Sequence, residues 1–208
     1  MNSPRQRLPA AERRASILAA AVEVFGARGY TAATTDAIAQ IAGISQAYVI
    51  RTFGSKEALF IATAERVVDQ VAEVFRGVLA ESGDVAQDRI EPRLGDAYVR
   101  LAEDRGALVT LLHLFTLGQD PVIGPVAREG FLRIYTILRD EAGLSAARAT
   151  AFLANGMLVS TILGLRLPSR SDDPMVAELL SATFRENTGL VTDLFGDGQL
   201  SSDSSAPR

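Results

Sequence analysis

Residues 35–60 read TDAIAQIAGISQAYVIRTFGSKEALF, and their spacing fits two short helices joined by a glycine turn. Ala39, Gly43 and Val49 lie four and then six residues apart. That puts a small residue where the helices cross, a permissive one at the corner and an apolar one on the inner face of the second helix. Gly43 takes a positive φ at almost no steric cost, so the chain can end one helix and reverse within about four residues. Ile38, Ile41 and Ile44 are expected on the buried side of the corner. Ser45 then caps a second helix running from Gln46 to about Thr52, its hydroxyl accepting from a free amide of the first turn. The outward face carries Gln46, Ala47, Tyr48, Arg51 and Thr52. Gln can bond an adenine edge with both ends of its amide, Arg can bond guanine or phosphate, and the Ala and Thr methyls can touch thymine methyls. The Tyr48 hydroxyl can donate to a phosphate. An ordinary helical hairpin with a polar outer face has the same corner, so its surroundings decide what this one does.

The net charge of the chain, −4, opposes a nucleic-acid partner, but its distribution favours one. Residues 1–56 hold seven cations (Arg5, Arg7, Arg13, Arg14, Arg28, Arg51, Lys56) against three anions (Glu12, Glu23, Asp36), a balance of +4 that leaves −8 on the remainder. A basic head on an acidic body suits a protein of which one end meets phosphate. Lys56 is the chain's only lysine. At a helix start, beside the N-cap Ser55, it adds an ammonium to free backbone amides, which marks it as a phosphate contact.

Outward from the corner the pattern is helical throughout, and the fold class is all-α. Residues 1–11, with Pro4 and Pro9, read as a flexible basic arm able to lie along a DNA backbone or reach a minor groove. From Ala11, the residues Ile17, Leu18, Ala21, Val22 and Phe25 form an apolar stripe that ends at Gly26 to Gly29. No proline occurs between Pro9 and Pro92, so one long helix can run from Ser55 to about Ala80 before Ser82, Gly83 and Asp84 break it. Further helices are expected near 90–104, 106–118, 122–142, 145–166 and 174–193, and the tail 196–208 lacks apolar anchors and is expected to be disordered.

Gly29 and Tyr30, then Thr34, Thr35, Ile38, Ala39, Ala42, Gly43, Ile44 and Ser45, and the ending Phe53, Ser55, Lys56, Glu57 and Leu59, together resemble the N-terminal domain of the tetracycline-repressor (TetR) family of transcriptional regulators. The resemblance covers roughly residues 12–72 and implies a three-helix, helix-turn-helix DNA-binding domain there. It implies a ligand-binding and dimerisation bundle over 73–195, a palindromic double-stranded operator, a homodimer and a small-molecule effector. The DNA-binding set it supports is Thr34, Thr35, Ser45, Gln46, Ala47, Tyr48, Arg51, Thr52 and Lys56. One departure stands out: the family often has Gly-Thr-Leu-Tyr in its recognition helix, where this chain has Ala47, Tyr48, Val49 and Ile50. The usual tyrosine, often a phosphate contact, is therefore Ile50, and Tyr48 is the candidate to replace it.

Residues 145–166 are apolar around much of the helix circumference, with Gly156, Ser160 and Gly164 in one small-residue row. In the family the last two helices commonly form a four-helix dimer interface, for which Phe152, Gly156, Leu158, Val159, Ile162 and Leu163 are the candidates; burial in one subunit's own core is the other reading. Tyr98, His113, Phe115, Phe131, Tyr135 and Asn155 are candidates for a largely apolar effector cavity in the helical body. The apolar runs Ala107–Gly118 and Gly156–Leu167 are shorter than the roughly 18–20 residues of a membrane span. No N-terminal apolar signal segment is apparent, and the absence of cysteine fits a cytoplasmic protein. An enzyme has little to work with: there is no thiol nucleophile, a single histidine, no glycine-rich phosphate loop, and no metal or cofactor motif. A helical adaptor has no need of Gln46, Arg51 and Lys56 beside a basic arm. The function expected is a ligand-responsive DNA-binding regulator, a repressor before an activator.

Overall fold

The computed structural model describes residues 9–83, 87–104 and 106–195. Residues 1–8 of the expected arm and the tail 196–208 lie outside them. Among the described residues there are ten α-helices and no strand, as expected for an all-α chain.

The head is built from α1 (Ala10–Ala32), α2 (Thr35–Ala42), α3 (Gln46–Phe53) and the start of α4 (Lys56–Ser82). Helical geometry in α1 runs as far as Gly29, whose φ of 70° kinks the chain. The apolar stripe of α1 is buried, as are Ala39 and Val49 at the crossing of α2 and α3. Gly43, at φ 67°, closes α2: its N–H reaches the Gln40 carbonyl at 3.2 Å, and the Ile44 N–H reaches the Ala39 carbonyl at 3.0 Å. These are the two bonds of a Schellman turn. Ile38 is fully buried, but Ile41 is 49% exposed, against expectation. Three residues along a helix is a rotation of about 300°, so Ile41 stands about 60° away from Ile38 and off the inner face.

Helix α4 begins at its cap Ser55, whose hydroxyl accepts from the Ala58 N–H at 3.0 Å. At about 1.5 Å per residue it spans about 40 Å. Leu59, Phe60 and Ala64 are buried near its start, and Val67, Val71 and Phe75 further along. It passes unbroken through residue 72, where the sequence suggests the domain boundary, and the buried side chains form one cluster from Ile17 to Val191.

The body comprises α5 (Gln87–Arg100), α6 (Ala107–Thr116), α7 (Ile123–Thr136, running into a π turn at Ile137–Glu141), α8 (Ala146–Gly164), α9 (Pro174–Phe184) and α10 (Thr188–Phe195). The single helix expected over 174–193 is broken, because Arg185 adopts φ 50° and ends α9. Body and head meet most closely where α1 passes α6. A Cβ on Gly26 would stand 2.3 Å from the Gly106 Cα, and one on Gly106 would stand 2.5 Å from the Val22 carbonyl oxygen. The Thr110 hydroxyl donates to that same carbonyl at 3.3 Å.

Helix α8 corrects two expectations. It has 19 residues and a mean hydropathy of 1.3 over its most apolar window, so by length and composition alone it reaches the measure of a membrane span. Its inner face is nevertheless packed: Phe152, Val159, Ile162 and Leu163, expected at a dimer interface, are buried in the subunit's own core. Gly156 also faces inward, where a Cβ would meet the Tyr98 ring at 3.4 Å; one on Gly164 would meet Leu112 at 3.6 Å. The small-residue row thus admits α5 and α6. Of the six interface candidates only Leu158 is exposed, at 40%.

Candidate nucleic-acid interface and effector cavity

On α3, the side chains of Gln46, Ala47, Ile50 and Arg51 are exposed and Tyr48 is half-buried. Ser45 caps the helix, its hydroxyl accepting from the Tyr48 N–H at 3.3 Å. Gln46 Nε2 donates to the Thr35 hydroxyl at 3.0 Å. Thr35 itself is 8% exposed, so this expected contact residue is instead a buttress for Gln46. With one Nε2 hydrogen engaged, Gln46 keeps a second N–H and its carbonyl oxygen for a base edge. Thr34 is exposed and caps α2, accepting from the Ala37 N–H at 3.1 Å. The Thr52 hydroxyl donates to the Tyr48 carbonyl at 2.8 Å and is used within its own helix.

Two guanidinium groups share the Tyr48 ring: Arg51 at 4.8 Å and Arg13 at 5.3 Å from its centroid. Arg14 lies 4.4 Å from the Phe53 ring centroid. Each such contact contributes about 0.5–1 kcal/mol at an exposed site and, more importantly here, orients a flexible cation. Arg13 and Arg14 counted toward the head's charge in the sequence but not as site residues. The missing signal is three-dimensional, since α1 and α3 meet only after the corner folds.

Lys56 differs from expectation. Its ammonium donates to the Tyr30 carbonyl at 3.0 Å and to the Thr31 and Ala33 carbonyls at 3.2 Å each, with the Tyr30 ring centroid 4.8 Å away. An ammonium has three hydrogens. All three are engaged, tying the start of α4 to the end of α1 where Gly29 leaves helical geometry. Lys56→Ala is therefore expected to lower stability by about 2–3 kcal/mol in a urea melt, because three carbonyls lose a charged donor. The salt dependence of DNA binding should stay close to wild type; a slope reduced by about one counterion would restore the direct phosphate contact.

The body holds a cavity of about 30 Å³ whose wall draws on five helices: Phe75 from α4, Tyr98 from α5, Leu111 and Phe115 from α6, Phe131 from α7 and Phe152 from α8. The remaining wall is Leu112, Ile134, Leu153, Gly156, Met157 and Ser160. Of the sequence candidates, Tyr98, Phe115 and Phe131 line this cavity. His113, Tyr135 and Asn155 are not in the wall. His113 points to α1, its ring carbon 3.4 Å from where a Cβ on Gly29 would stand, and burial pushes its imidazole below the usual range, toward the neutral form. Asn155 is exposed on the outside of α8. The Tyr98 hydroxyl lies 3.0 Å from the Ser160 hydroxyl, and burial raises the phenol's pKa, which keeps it protonated.

A helix-turn-helix head carrying oriented arginines, joined through one continuous core to an apolar cavity, defines a DNA-binding regulator under ligand control. The family model of bacterial regulatory proteins of the tetR family matches residues 17–63. The chain is 31% identical over 173 residues to the HTH-type transcriptional activator FasR of Mycolicibacterium smegmatis, covering 81% of this chain and 78% of FasR. It is 37% identical over 76 residues to the dual regulator CecR of Shigella flexneri, 36% of this chain and 34% of CecR. A TetR-like transcriptional regulator from Rhodococcus sp. RHA1 superposes with a TM-score of 0.58 at 21% identity, over 90% of this chain and 96% of that one. The chain belongs to the TetR family of transcriptional regulators. It is a ligand-responsive, homodimeric DNA-binding protein and not an enzyme. Regulators of this family are soluble proteins.

Proposed function

We propose that this chain works in the cytoplasm as a dimeric repressor, reading a palindromic operator with Gln46 and Arg51 and releasing it when a small apolar molecule enters the body cavity. Residues 12–72 serve as the reading head and 73–195 as the sensing and pairing body. The observation that carries the reading is the physical continuity between the two ends. α4 gives Phe75 to the cavity and Leu59 and Phe60 to the head; α6 gives Leu111 and Phe115 to the cavity, and its N-cap Gly106 meets α1. A ligand that fits only one separation of these helices shifts the heads by its difference in affinity for the two states. FasR is named an activator and CecR a dual regulator; binding without ligand gives repression wherever the operator overlaps a promoter, and release on ligand binding relieves it.

The second copy covers the outer faces of α8 and α9. Ala147, Ala151, Ala154 and Leu158 are exposed along α8 at the four- and three-residue steps of a coiled-coil seam, and Leu165, exposed at the helix's C-terminal cap, follows one heptad after Leu158. Leu158 is 40% and Leu165 65% exposed, and on α9 Met175 is 73% and Leu179 37% exposed. Apolar seams of this kind on adjacent helices suit a four-helix interface.

Fluorescence anisotropy on a selected operator tests the head. Gln46→Ala and Arg51→Ala should each lose about 1–3 kcal/mol of binding and relax preference at one base position. Tyr48 acts as the platform for Arg13 and Arg51, so Tyr48→Phe should bind within about twofold of wild type while Tyr48→Ala loses about 1–2 kcal/mol. Equal losses in Phe and Ala variants would return the role to a hydroxyl–phosphate bond.

A further inference from the structure

Resting on the reading of the body cavity as the effector site, we propose that the effector is an uncharged apolar molecule that presents one hydrogen-bond donor, a hydroxyl or N–H, to the phenolic oxygen of Tyr98. Every lining side chain is hydrocarbon or thioether except Tyr98 and Ser160, and none is charged. A carboxylate or ammonium buried against that wall would go unpaired, at a penalty of several kcal/mol.

The polarity of the remaining site follows from counting protons. The Ser160 hydroxyl donates its single hydrogen to the Gly156 carbonyl at 3.1 Å. With its hydrogen placed there, it accepts from Tyr98, 3.0 Å away, which uses the phenol's only hydrogen. The lone pairs on the Tyr98 oxygen are left as the acceptor that a ligand can engage. Gly156 keeps this corner open, since a Cβ there would already touch the Tyr98 ring at 3.4 Å and a larger side chain would fill the space. The surrounding Phe75, Phe115, Phe131 and Phe152 favour a flat or slender ligand body through edge-on ring contacts, and because the cavity holds only about 30 Å³ the helices must part to admit it.

Isothermal titration calorimetry of the full chain with three matched probes at neutral pH tests the assignment: 4-propylphenol, its methyl ether and 4-propylbenzoate. The phenol should bind about three- to tenfold tighter than the ether, the worth of one hydrogen bond, and the benzoate at least about tenfold weaker than the phenol. Tyr98→Phe should bring the phenol to the level of the ether and leave the ether unchanged, while Gly156→Leu, which fills the cavity, should abolish all three. Benzoate binding as tight as phenol, or a phenol–ether gap that survives Tyr98→Phe, overturns the proposal. Equal binding of all three probes overturns it too but leaves the cavity as the effector site. Absence of binding by all three overturns both readings.

Discussion

Gly26→Ala is expected to lower the stability of the chain by about 3 kcal/mol, or roughly 6–12 °C in Tm, although it adds one methyl group. The new Cβ would stand 2.3 Å from the Gly106 Cα and 2.8 Å from its carbonyl oxygen. These are backbone atoms, which cannot rotate aside as a side chain can. α1 and α6 must separate, stretching the bond from Thr110 to the Val22 carbonyl and opening gaps beside Leu108 and Phe25. The helix propensity gain of Ala over Gly, up to about 1 kcal/mol, is too small to offset this. Gly77 in α4 is the control: a Cβ there meets nothing within 4 Å, so Gly77→Ala should stabilise by about 0.5–1 kcal/mol. Calorimetric melts of the two variants moving in opposite directions would establish the close joint; equal shifts would refute it.

Leu158→Glu should convert the protein to a folded monomer and weaken operator binding by about a hundredfold or more. Leu158 is 40% exposed in the single subunit, so a carboxylate there meets water in the monomer and is desolvated only when a second copy covers it. Affinity falls because two linked heads bind far more tightly than one, typically by factors of about 10² to 10⁴. Ile162→Glu, one turn away, must behave differently. Ile162 is 1% exposed, so a charge there should unfold the subunit itself. Sedimentation with circular dichroism separates the two outcomes, and a Leu158→Glu protein that stays dimeric would move the interface elsewhere.

Much of the head was legible because its signals are local. Gly43 at the corner and the caps Ser45 and Ser55 each act within a few residues, and each sits where its chemistry implied. The errors fall where a distant partner decides. Lys56 reads as a free ammonium until α1 brings three carbonyls to it. α8 is apolar on most sides, so its pattern could not say which face meets the core and which a second copy. Arg185 breaks the last helix with neither glycine nor proline at the break, a turn after which Asn187 bonds to Asp96 of α5. His113 sat beside true cavity residues in sequence, yet its position on α6 directs it to the kink at Gly29.

The most direct test of a paired, groove-reading protein is selection of bound duplexes from a random pool, followed by sequencing. Two heads on a twofold dimer should enrich an inverted repeat with half-site centres about 34–36 Å apart, or an integral number of turns, and Gln46→Ala should blur the same position in both halves. Enrichment of a single unpaired motif, or none above the starting pool, would contradict the account.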